Sequence, residues 1–146
     1  MLLVALTCLF LIAATTVIHY EVLRTLNTRL VLLPVPNRRK VLAVIFAAFV
    51  APAMEIAVYG AALYLLVTSF GVGTLQGKPG FSLMNCFYFS AETYTSVGFG
   101  DLTPAGPLRL LAGAEALNGL LLIGWSASFT YIAMERFWSE DAQDRP

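Results

Sequence analysis

Apolar residues run almost unbroken through three stretches of this chain, and polar residues collect between them. The stretches are residues 2–18, residues 41–69, broken only at Pro52 and Glu55, and residues 107–134. A helix crosses about 30 Å of hydrocarbon in about 20 residues, so each stretch predicts a transmembrane helix. The second and third exceed what a perpendicular crossing needs and are expected to tilt or project beyond the bilayer. The first is expected to be a retained helix and not a signal peptide, because no Lys or Arg precedes it and no small-residue cleavage pattern closes it before His19 and Tyr20.

The connections have characters of their own. In "HYEVLRTLNTRLVLLPVPNRRK", Leu23, Leu26, Leu30 and Leu33 recur at helical spacing with Arg24 and Arg29 among them. This predicts either a continuation of the first helix or an amphipathic helix on the membrane surface, stopped by "PVPN". Between the second and third stretches, "FGVGTLQGKPG" reads as a Gly-rich, turret-like loop. Then "FSLMNCFYFSAETY", apolar and aromatic, is too short to cross as a helix and fits a half-buried re-entrant one over residues 82–95. "TSVGFGD" follows at once. The pattern divides the chain into residues 1–40, a first transmembrane helix with a basic connection; residues 41–134; and a short tail, residues 135–146. No globular domain or internal repeat is legible.

Composition agrees with a bilayer as solvent. Hydrophobic residues make up 58 % of the chain and charged residues 12 %, against about a quarter in soluble domains, and mean hydropathy is +0.75. Net charge is zero, so no nucleic-acid partner is implied. Arg24, Arg29, Arg38, Arg39 and Lys40 crowd the first connection, whereas the second holds only Lys78 and Arg109. The positive-inside rule places residues 20–40 and the acidic tail in the cytoplasm, and the N-terminus and residues 70–106 outside. Arg38, Arg39 and Lys40 suit anionic lipid, though topology alone also explains them. Cys8 and Cys86 read as small core residues, and one His with two distant Cys does not build a zinc site. No nucleophile–base or metal cluster stands out, so the chain is not read as an enzyme and no cofactor is expected. No arginine ladder for voltage sensing is present.

The candidate chemistry lies in residues 96–100. Ser96, Val97, Gly98, Phe99 and Gly100 offer successive carbonyls and one hydroxyl. Glycine takes φ > 0 without a Cβ penalty, so alternating left- and right-handed residues can aim neighbouring carbonyls to one side. Four such segments around an axis would stack rings of oxygens that replace the hydration shell of a bare cation. Val97 and Phe99 would then turn away from the axis toward the short helix. A lone G-x-G is more often a turn; its position after a short aromatic helix and between two spans makes the signal specific.

"SAETYTSVGFGDLTP" resembles the pore signature of the potassium channel superfamily, especially the small bacterial two-helix pore channels, with an extra N-terminal helix here. The resemblance covers about residues 41–134 and implies an all-α membrane protein of the bacterial-type inner membrane. It implies an outer helix (41–69), a pore helix (82–95), a selectivity filter (96–101) and an inner helix (107–134), assembled as a homotetramer around one pore. Potassium would bind at the filter as the permeant ion. Ser96 stands where the family usually has Thr, keeping the oxygen of the innermost ion site and losing a methyl. Phe99 replaces the usual Tyr, whose hydroxyl in relatives bonds a pore-helix donor of a neighbouring chain; the matching position here is Phe89, which has no donor, so aromatic packing would brace the filter there.

The resemblance also implies that Glu92 and Asp101 meet behind the filter, where two close carboxylates cannot both ionise cheaply; alternatively Glu92 caps or solvates a helix end. Tyr88 either offers its hydroxyl to Asp101 or is a membrane-interface tyrosine. Gly119 and Gly124 lie near the family's hinge glycines, or else serve close helix packing. Leu120, Ile123, Gly124, Ala127 and Tyr131 form a stripe that would face the cavity, with Tyr131 or Met134 narrowing its inner mouth. Two intramembrane carboxyls match no family motif. Each is expected to hold a static hydrogen bond to Ser, Tyr or backbone; otherwise Glu55 relieves the carbonyl freed by Pro52 or senses pH, and Glu115 braces the back of the pore helix. The leading function is a passive potassium-selective channel. The alternatives are a weakly selective cation channel, which Phe99 disfavours, and a non-conducting subunit that partners other channel chains.

Overall fold

The structure, a computed structural model, describes residues 1–32 and 34–143. It is mostly helical. Helix α1 covers Leu2–Leu32, α2 Asn37–Thr68, α3 Leu83–Tyr94 and α4 Leu108–Gln143, and two short strands, β1 (Thr74–Gly77) and β2 (Leu102–Ala105), flank α3. Three of the helices are long and apolar enough to cross a membrane, over Leu2–Leu30, Asn37–Thr68 and Leu108–Ser139.

The first connection is a continuation of α1, not a separate surface helix, since α1 runs unbroken to Leu32; Leu33 of its leucine stripe lies outside the described residues. Pro36 occupies the N-cap of α2 with φ −55°, and its fixed ring turns the chain from one helix into the next. Arg38 and Arg39 are exposed on the first turn of α2, while the Lys40 ammonium lies 5.5 Å from the centre of the Phe137 ring. Helix α4 continues well past Met134, so the tail begins as helix; residues 144–146 lie outside the described residues.

The expected turret loop is partly a β-ribbon. β1 and β2 pair antiparallel, with Thr74 opposite Ala105 and Gly77 opposite Leu102. The ribbon therefore fastens both ends of the segment that contains α3 and the loop 95–101. Gly77 permits this closure, because a Cβ there would lie 2.1 Å from the Asp101 carbonyl oxygen. Inside the ribbon, α3 starts at Ser82, whose side chain accepts from the Asn85 N–H at 3.1 Å.

One core unites the elements. Val4, Cys8 and Leu11 of α1 join Tyr59, Leu63 and Leu66 of α2, Cys86, Phe89 and Tyr94 of α3, and Leu108, Leu111 and Leu122 of α4, with Leu75 and Leu102 from the ribbon. The extra helix is thus packed into the same core as α3. Both cysteines are free and buried within it.

Candidate functional site

The backbone leaves α3 at Tyr94 and changes hand at every second residue. φ is +58° at Ser96, +57° at Gly98 and +79° at Gly100, and not positive at Val97 and Phe99 between them. Glycine accepts this at two of the three positions; Ser96 is the single non-glycine residue with positive φ among the described residues. The N–H groups in this stretch converge on one residue. Val97 N–H and Gly98 N–H donate to the Glu92 carbonyl at 2.9 and 3.2 Å, and Phe99 N–H donates to Glu92 Oε2 at 3.2 Å. In a planar trans peptide the C=O points opposite to the N–H that follows it. The carbonyls of Ser96, Val97 and Gly98 therefore face away from α3, on the exposed side of the loop.

The two carboxyls behind the loop are held by different donors. Asp101 Oδ1 accepts from the Tyr88 hydroxyl at 3.2 Å and from the Leu102 N–H at 3.1 Å, and Glu92 takes the Phe99 N–H. Glu92 is buried while Asp101 is exposed. Burial raises the Glu92 carboxyl above its ordinary value; the Phe99 N–H opposes this, and the nearby Asp101 charge adds to it. The expected match of Phe99 with Phe89 is one between neighbouring copies; within the single chain the two rings sit in different places. Phe89 is 4 % exposed and belongs to this chain's own core, whereas Phe99 stacks on Tyr88 with ring centres 6.4 Å apart and planes 4° from parallel. Residues one apart face different sides of α3, so within one chain it is Tyr88 that reaches the loop.

Three buried polar clusters tie the four helices together. In the first, Glu55 of α2 meets His19 Nδ1 of α1 at 2.9 Å through Oε1 and accepts the Tyr94 hydroxyl of α3 at Oε2, while Ser126 of α4 lies 3.1 Å from His19 Nε2. In the second, Asn118 Nδ2 of α4 donates to Thr15 Oγ1 of α1 at 2.7 Å and to the Tyr59 hydroxyl of α2 at 3.2 Å. In the third, the Ser90 hydroxyl of α3 meets the Glu115 carboxyl of α4 and lies 2.8 Å from the Ile56 carbonyl of α2. Both intramembrane carboxyls thus reach α3. Glu55 is committed to His19 and Tyr94 rather than to a carbonyl freed by Pro52. Among the described residues, no buried side-chain nitrogen or oxygen lacks a hydrogen-bond partner, as an apolar solvent demands.

On α4, Leu120, Ile123, Gly124, Ala127 and Tyr131 lie exposed along the single chain, with Met134 half-buried. The helix runs unbroken through Gly119 and Gly124. Gly119 marks a close approach: a Cβ there would lie 2.2 Å from the Tyr94 carbonyl oxygen, while one at Gly124 would meet nothing within 4 Å.

Residues without a role in the sequence reading complete these clusters: Thr15 and His19, Tyr59, Ser90 and Tyr94, and Ser126. A signal for them exists. Thr15 and His19, Glu55 and Tyr59, and Ser90 and Tyr94 are each four apart, and Glu115 and Asn118 three apart, so each helix carries its polar side chains on one stripe.

Comparison with known proteins bears on this arrangement. Residues 40–136 match the family model described as "Ion channel". The inward rectifier potassium channel Kirbac3.1 of Paramagnetospirillum magnetotacticum is 39 % identical over 62 residues, which are 42 % of this chain and 21 % of that protein. The matched segment thus spans about a fifth of that relative's length. No solved structure matches.

Proposed function

The chain belongs to the ion channel family over residues 40–136, and on that premise we propose that it is a multi-pass membrane protein conducting potassium passively through residues 96–100. The observation that carries this reading is the set of three consecutive N–H groups turned onto Glu92. It leaves the carbonyls of Ser96, Val97 and Gly98 on the open side, where four copies around one axis form rings of oxygens. Such rings replace the hydration shell of an unhydrated cation, and repulsion between neighbouring ions drives them through. No bond is made or broken, and potassium is the cargo.

The single chain supports the assembly. Val97 and Phe99 are 56 % and 71 % exposed, a large apolar surface beside the carbonyls that neighbouring copies would cover. The stripe from Leu120 to Tyr131 then lines the cavity below. Potassium is favoured over other cations by the name of the relative, an inward rectifier potassium channel, and by Phe99, an apolar residue where a weakly selective filter would carry charge. In this reading the basic turn at Arg38 and Arg39 is cytoplasmic and meets anionic headgroups.

Purified protein in liposomes tests the proposal. Potassium-driven flux is expected without comparable sodium flux, and Gly98→Ala should abolish it, because an L-residue at φ +57° is strained. Equal potassium and sodium flux would identify a weakly selective channel. A normal oligomer with no flux would identify a non-conducting subunit.

A further inference from the structure

We propose that the first helix is part of the conduction machinery: His19, acting through Glu55 on the hydroxyl of Tyr94, is a positioning residue for the loop that begins at Thr95. This rests on the channel reading above and adds to it a control point outside the pore-forming segment.

Tyr94 is the last residue of α3 and is fully buried. Two residues later the loop takes its first left-handed position at Ser96. The placement of Tyr94 therefore sets where the carbonyl-bearing stretch starts. Two contacts fix it. Its backbone carbonyl lies against Gly119 of α4, where no Cβ fits, and its hydroxyl is held by Glu55 of α2. Glu55 is fully buried in an apolar span, and a carboxyl at that depth keeps one orientation only when its second oxygen is also engaged. His19 supplies that engagement from α1 at 2.9 Å.

His19 is itself fixed on three sides. It is fully buried, its Nε2 lies 3.1 Å from Ser126 Oγ, and its ring centre lies 5.4 Å from that of Trp125. The chain of contacts runs α4–α1–α2–α3 and ends beside the loop. The neighbouring link from Thr15 to Asn118 and Tyr59 joins α1, α2 and α4 but leaves α3 out. α1 therefore has one polar link hydrogen-bonded through to Tyr94 and one whose hydrogen bonds end at Asn118 and Tyr59, which serves as the control.

Four variants separate positioning from packing. His19→Asn keeps an amide nitrogen where Nδ1 stands and preserves the bond to Glu55. His19→Gln reaches toward Ser126 and loses it. Tyr94→Phe removes the hydroxyl at the other end while keeping the ring in the core. Thr15→Val removes the control link. Purified oligomers are recorded in planar bilayers for mean open time and for the rubidium-to-potassium permeability ratio. His19→Gln and Tyr94→Phe should change open time by about two- to thirtyfold, the range expected of coupling through a packed network. Thr15→Val should stay at wild type, and His19→Asn, which keeps the bond to Glu55, should lie closer to wild type than His19→Gln. Open times unchanged in His19→Gln and Tyr94→Phe would overturn the proposal while leaving the channel reading intact. So would Thr15→Val matching the change in His19→Gln, which would mark a packing effect. Wild-type protein without potassium current would overturn the channel reading and this proposal together.

Discussion

Glu92 carries more of the loop than any other residue, because its carbonyl and carboxyl together accept three consecutive N–H groups. Burial works against its charge. A carboxyl raised in the folded state binds protons more readily there than in the unfolded chain, so the folded state loses stability as pH climbs from the ordinary value of 4.5 through the raised one. Thermal unfolding in detergent should show that loss over that window, and Glu92→Gln should flatten it while still accepting the Phe99 N–H. Glu92→Leu leaves that N–H without its acceptor and should cost about 1–3 kcal/mol. Ser96 is the second informative residue. With φ at +58°, a β-branched side chain is a poorer fit than serine. Ser96→Thr should lower the melting temperature of this chain, and Ser96→Gly should raise it. An unchanged melting temperature in both would refute the backbone argument. The sequence revealed the glycines and carboxyls of this loop because their types are unusual in an apolar chain. It hid the left-handed serine, since serine carries no such mark.

At the scale of elements, the spans were legible and their ends were not. Long apolar runs announce α1, α2 and α4, but a helix that leaves the bilayer continues on local propensity alone, which is how α1 reaches Leu32 and α4 reaches Gln143. The ribbon was illegible for another reason. "TLQG" and "LTPA" are four residues each and separated by α3, and nothing local tells either strand that its partner lies beyond a helix. The four-residue spacing of Thr15 and His19 marks a polar stripe on α1, but the partner of His19, Glu55, is set only by the folded packing of α1 on α2. The junction of α3 with α4 yields a test. Gly119→Ala puts a methyl against the Tyr94 carbonyl oxygen, at a distance no real contact tolerates. Backbone must move, at a cost of about 1–3 kcal/mol. Gly124→Ala, at an open position, should be nearly neutral or slightly stabilising through helix propensity. Circular-dichroism melts of both variants decide between close packing and indifference at these glycines.

For the whole molecule, the single chain is half of an argument. Its interior is complete, with every buried side-chain nitrogen and oxygen among the described residues satisfied, yet the loop proposed to conduct stands exposed with Val97 and Phe99 uncovered. A loop and an α4 stripe left open on one side of a chain are what a subunit presents when its function belongs to an assembly. Thermodynamics then ties ion and assembly together. If potassium binds only between copies, at the carbonyls of residues 96–100, it stabilises the oligomer and not the separated chain. The gain follows RT ln(1 + [K⁺]/Kd), about 2.7 kcal/mol when the ion is at a hundredfold excess over Kd. The oligomer should therefore survive heating in detergent to a higher temperature in potassium than in sodium, by a margin that grows with the logarithm of potassium concentration. Gly98→Ala should erase the difference between the two ions without preventing assembly in the cold. An oligomer equally stable in both ions would break the link between the exposed loop and potassium, whatever its subunit number.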